Sequence, residues 1–126
     1  ARAELDKDSR PEGRLAMPVL SFHAIHDPTA FVELQSLYRE QVARGGSADR
    51  LVQVFTDERE HSYLGEAQYP ALFTALLQWV DKGDKPTPRS VLALCQGYEA
   101  TYGRSCRIQP DHQPASIDAR VTPRPR

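Results

Sequence analysis

Two short, almost unbroken apolar runs, at about 18–23 and 50–55, alternate with stretches whose apolar residues recur at helical spacing. Runs of that length bounded by polar turns predict strands, and Pro18 can take the first position of the earlier one, where no ladder donor is needed. Phe31, Leu34, Leu37, Tyr38 and Val42 then share one face, which predicts a helix from Pro28 or Thr29 to Arg44, stopped by Gly45-Gly46. Leu72, Phe73, Leu76, Leu77 and Val80 predict a second helix over about 66–82, ending at Gly83 and placing this stripe and Trp79 in the core. Thr87 as cap and Pro88 as first residue start a third, which runs to about Tyr102 before Gly103.

Continuous apolar strands, each followed by an amphipathic helix, belong to a parallel sheet covered on both faces. The expected fold class is α/β: two parallel-type strands and three helices, in the order β-α-β-α-α over residues 17–108. Residues 1–16 are charged and read as a loose lead-in, and residues 109–126 as a Pro-rich tail, extended or partly disordered. No internal repeat is visible. Two strands leave edges and faces in water, so the sheet should be completed by oligomerisation or by a partner, and the chain is expected to be at least a dimer.

Composition narrows the partners. A chain of 126 residues, 40% hydrophobic, supports one domain of ordinary core size. Its net charge of -1 and scattered Lys and Arg give no basic face for nucleic acid. No apolar run approaches a membrane span, and the amino end lacks the apolar stretch of a secretory signal. The chain opens at Ala1 rather than Met, as expected of a processed or trimmed product. A soluble location, cytoplasmic or exported, fits these features. Cys95 and Cys106 are the two cysteines; a bridge from the third helix to the segment after it and two separate thiols both fit the spacing. A bridge would favour export.

The chemistry lies just beyond the strands. Pro18-Val-Leu-Ser-Phe-His23-Ala-Ile-His26-Asp27-Pro28 runs a strand into a turn that presents a carboxylate. Leu51-Val-Gln-Val-Phe55-Thr-Asp57-Glu58-Arg59-Glu60-His61-Ser62 runs a second strand into a loop that presents an imidazole. Alone, Asp27 could be a turn or cap residue and His61 a surface histidine. Together, each directly after a buried-type strand, they match the base and its orienting carboxylate in a nucleophile-His-Asp relay.

The first segment resembles the penultimate strand and acid turn of α/β-hydrolases, Arg59-Glu60-His61-Ser62 the loop that carries their catalytic His, and Leu72 to Pro86 the closing helix of esterase-like members. The resemblance spans roughly residues 14–90. It implies a fragment of an α/β-hydrolase sheet, with Asp27 as the acid, His61 as general base and a small ester-type substrate. Ala24 stands where the family usually has Gly, and Gly-x-Ser-x-Gly is absent. Ser47, in Gly45-Gly46-Ser47-Ala48-Asp49, has no strand before it to form a nucleophile elbow. The nucleophile is therefore expected from another segment or chain, a complementing hydrolase chain or a homodimer partner, and no cofactor is needed.

Two alternatives use the same residues. His23, His26, Asp27 and His61, with Glu60 nearby, could converge at the strand ends on zinc or a similar divalent ion that activates water, giving a metal-dependent hydrolase of activated esters or phosphoesters built on a homo-oligomer. The chain could also be an inert piece of a nicked hydrolase. His112 and Asp111 in the tail are expected to be solvated.

Overall fold

The protein is described here by a computed structural model covering residues 11–120. Two parallel strands, β1 (Val19–Ala24) and β2 (Leu51–Thr56), pair in register from Val19 opposite Leu51 to Ala24 opposite Thr56. Three helices complete a mixed α/β arrangement: α1 (Leu34–Arg44) between the strands, then α2 (Gln68–Lys82) and α3 (Pro88–Tyr102). No helix among the described residues is long and apolar enough to cross a membrane.

The alternating strand positions divide the sheet's two faces. Val52 and Val54, with Leu20 and Phe22 beside them, meet Ala71, Ala75 and Trp79 of α2 and Val91 and Cys95 of α3 in one cluster. On the other face, Gln53 Nε2 donates to the Gln35 carbonyl of α1 at 3.0 Å, and Phe55 packs edge-on against His112 at 5.1 Å between ring centres. Both faces are thus covered, as near-continuous apolar strands require.

α3 has the expected bounds. Thr87 Oγ1 accepts from the Ser90 amide, the Ser90 hydroxyl accepts from the Thr87 amide, and Gly103 ends the helix at φ 65° in the left-handed region that favours glycine. α1 starts later than expected, because Asp27 to Ala30 fold into a side-chain-closed turn and the next three residues form a further turn before Leu34. Its expected stripe holds at Val42, which is buried, but Phe31 and Leu34 are exposed, and Val32 and Ser36 take inward positions instead.

α2 corrects the sequence reading most. Its buried line is Gln68, Ala71, Ala75 and Trp79, while Phe73, Leu77 and Val80, expected in the core, are exposed, Phe73 by 64%. Small alanines let the helix axis approach the sheet and α3, and the bulky residues on the next face are displaced outward. With Tyr69 they form an apolar stripe along the helix.

The flanking segments are better anchored than expected. Gly13 lies so close to the end of α1 that a Cβ there would collide with the Gln41 carbonyl. Leu15 N–H donates to Ser47 Oγ at 3.0 Å and Arg50 to the Leu15 carbonyl at 2.8 Å. Residues 1–10 of the lead-in and 121–126 of the tail lie outside the described residues. At the other end, Ile108 bridges Thr56 in antiparallel fashion, flanked by Asp57 N–H to the Arg107 carbonyl at 2.9 Å and Gln109 N–H to the Phe55 carbonyl at 2.8 Å. The chain then crosses α1, where Arg39 bonds Gln113 and Arg120 meets Glu33 at 3.0 Å. Asp111 is exposed, as expected, and pairs at the surface with Arg89 Nη2 at 2.6 Å, whereas His112, expected to be solvated, is engaged: burial among Phe55 and its neighbours pushes its imidazole below the ordinary value. Cys95 and Cys106 are joined in a disulfide with Cα atoms 6.0 Å apart, which resolves the open alternative.

Candidate functional site

Parallel pairing with no stagger brings the carboxyl ends of β1 and β2 side by side, so the turns leaving them are neighbours. The β1 turn is built by Asp27 itself. Its Oδ1 accepts the amides of Thr29 at 2.8 Å and Ala30 at 2.9 Å, closing a tight turn that Pro28 can occupy because it has no amide to place. The β2 loop delivers His61, whose Nδ1 lies 2.8 Å from Asp27 Oδ2 and 3.1 Å from Oδ1. Asp27 is almost covered, with 5% of its side chain exposed, while the His61 ring is 48% exposed.

The protonation states follow from the contacts. Burial pushes the Asp27 carboxyl up, but the Ala30 and Thr29 amides and the His61 ring outweigh it and hold the group at about 2. Asp27 is therefore ionised near neutrality and can only accept, so His61 Nδ1 carries the proton and donates it. In the neutral ring that leaves the Nε2 lone pair free, and Nε2 makes no hydrogen bond among the described residues. Such a nitrogen can take a proton, and the carboxylate opposite stabilises the imidazolium that results.

Beside the pair is a cavity of about 240 Å³, lined by Phe22, His23, Ala30, Tyr63 and Leu64 along with Asp27 and His61. A larger one, about 650 Å³, lies between α2 and α3 against Gln78, Lys85, Ser90 and Tyr98, and includes neither Asp27 nor His61.

Of the other residues singled out in the sequence, His23 lines the same cavity, and none bonds Asp27 or His61 among the described residues. His23 Nε2 donates to the Ala30 carbonyl of the β1 turn at 2.9 Å and its Nδ1 faces the Gln35 side-chain amide of α1 at 3.4 Å, so both ring nitrogens are occupied. His26 points to the far side, with Nε2 2.9 Å from Asp57 Oδ1. Glu60 lies exposed on the loop. Among the described residues no group of three or more His, Cys, Asp or Glu is placed to hold a metal ion. Ser47 is buried, and its Oγ is occupied by the Leu15 amide.

Sequence reasoning missed the residues that hold the loop. Gln68 is buried; its Oε1 accepts the Gly65 amide at 2.8 Å and its Nε2 donates to Thr56 Oγ1 at 3.0 Å, which in turn donates to the Arg107 carbonyl. Its one legible signal is a Gln three residues after Gly65, the back-reaching half of a capping box. Arg107 pairs with Asp57 at 3.0 Å and holds that carboxyl below its ordinary value, while Arg104 donates to Tyr63 Oη at 2.9 Å. No periodicity marks either arginine.

Compared with protein-family models, curated proteins and solved structures, the chain shows no match.

Proposed function

We propose that this chain is the acid and base part of an ester-type hydrolase, similar in plan to the carboxyl-terminal part of an α/β-hydrolase. The observation that carries the reading is the Asp27–His61 hydrogen bond of 2.8 Å across the carboxyl ends of two adjacent parallel strands, with Nε2 left free. His61 takes the proton of a hydroxyl or thiol supplied by another segment as that group attacks the acyl carbon of a small ester, and returns it to the departing alkoxide. Asp27 fixes the tautomer and stabilises the imidazolium between those two transfers. Two further features favour a partner. The outer edge of β1 has no strand beside it among the described residues, and the Tyr69–Phe73–Leu77–Val80 stripe of α2 is uncovered.

The test is a serine-directed fluorophosphonate. The chain alone is expected to remain unlabelled, whereas a nucleophile on a co-purifying partner is labelled, and His61→Ala lowers that labelling by roughly 10⁴-fold. Labelling of Ser47 or any other serine of this chain would overturn the reading.

A further inference from the structure

Eleven residues, Asp57 to Ala67, separate β2 from α2, and His61 stands near their middle. They form no helix or strand, so their geometry is set by what holds their ends. At the entry, the Asp57 amide donates to the Arg107 carbonyl, the Arg107 guanidinium bonds Asp57 at 3.0 Å, and its Nε approaches Glu58 at 3.9 Å. At the exit, Arg104 donates to Tyr63 Oη at 2.9 Å and its Nε approaches Glu66 at 3.9 Å. Both arginines flank Cys106, which is bonded to Cys95 in the wholly buried face of α3. The Cys106 amide is fixed as well, donating to Glu99 Oε1 at 2.6 Å. Between the two holds, Ser62 has φ 60°, a left-handed conformation that a residue with a Cβ keeps only where its surroundings impose it.

We infer that Arg104 and Arg107, anchored by the Cys95–Cys106 disulfide, are positioning residues that clamp both ends of the His61 loop and keep Nδ1 on Asp27. This rests on the hydrolase reading only for its consequence in catalysis. Exposed ion pairs contribute little to global stability, so the effect is one of geometry. The disulfide makes the clamp sensitive to redox state. A dithiol that gives two electrons and two protons converts the bridge to two thiols and itself closes to a cyclic disulfide. Segment 104–107 then loses its covalent tie to α3, and the loop its reference point.

The experiment follows the His61 Nδ1–H resonance of the ¹⁵N-labelled full chain, assigned by its loss in His61→Ala, and reads its exchange with water. Arg104→Ala and Tyr63→Phe are each expected to speed exchange about tenfold, to show no further gain when combined, and to lower Tm by less than about 4 °C. Arg107→Ala is expected to act likewise, and dithiol reduction to exceed any single variant. Exchange within twofold of the unmodified chain in the Arg104 and Arg107 variants, or indifference to reduction, overturns the clamp. Because the resonance does not depend on hydrolysis, a failed phosphonate test counts against the proposed reaction and leaves the clamp to be decided by exchange alone.

Discussion

The two turns that meet at the site are built in opposite ways. The turn after β1 is local: Asp27 accepts amides two and three residues ahead, and His23 and Gln35 tie the same stretch together. The loop after β2 is held from afar, by Arg104 and Arg107 some forty to fifty residues away in sequence and by a buried Gln68–Thr56 link. The acid is thus placed by its own turn and the base by tertiary structure. One half of such a pair is therefore robust to distant change, while the other depends on the packing of the chain that follows it.

Asp27→Asn is the most severe way to break this contrast at the acid. Asn keeps an oxygen for the Thr29 and Ala30 amides, so the turn should survive, but its NH₂ faces His61 Nδ1 and drives the proton to Nε2. The ¹⁵N shifts of the ring should report that tautomer, and in a complemented enzyme turnover should fall by roughly 10⁴-fold. The same substitution should flatten the acid limb of the stability profile. The Asp27 carboxyl sits at about 2 against an ordinary 3.8, so its contribution is fully present above about pH 4 and is lost as pH falls through about 2. Urea unfolding of both proteins across that window would show the slope or its absence.

Cys106→Ser perturbs the other side. Opening a loop with a sequence separation of 11 should cost about 3 kcal/mol on chain-entropy grounds, read as a lower urea midpoint with a near-constant m. If the contrast holds, amide exchange should rise across 57–67 and leave Thr29 and Ala30 protected. Equal loosening of both turns would count against it. The smallest effect is expected of Ser62→Gly, where relief of the left-handed strain at φ 60° is offset by the greater freedom of glycine in the unfolded chain, for a net change within about 0.5 kcal/mol.

The same division explains what the sequence could disclose. The strands were legible to within one residue because apolar runs between polar turns admit few readings, and α3 was bounded by Thr87-Pro88 and Gly103, whose chemistry is local. Asp27 was legible for the same reason, and His61 through its place after a strand. In α2, Trp79, Leu72 and Leu76 were legible as core, but the small line beside them was not, because bulky Phe73 and Leu77 dominate a hydrophobicity reading while Ala71 and Ala75 are what a close approach demands. The Arg104, Arg107, Tyr63 and Gln68 contacts carry no periodic signature, since each joins chain segments whose meeting is decided only when the whole domain packs. The divergence of His23 and His26 follows from their places in the chain, His23 within β1 and bonded to Ala30, His26 in the turn beyond it and paired with Asp57.

The antiparallel bridge of Ile108 to Thr56 makes the sheet directional. A strand arriving along the far side of β2 meets chain already hydrogen-bonded to Phe55 and Asp57, whereas among the described residues no strand lies along the outer edge of β1, where alternate residues turn their amides and carbonyls outward. Two copies joined along β1 about a two-fold axis would run β1 against β1 in antiparallel sense. Their β2 strands would then lie outermost, each blocked at its Thr56 end by the Ile108 segment. An edge capped at one end hinders, at that end, the strand-by-strand addition that turns a pair into a fibre.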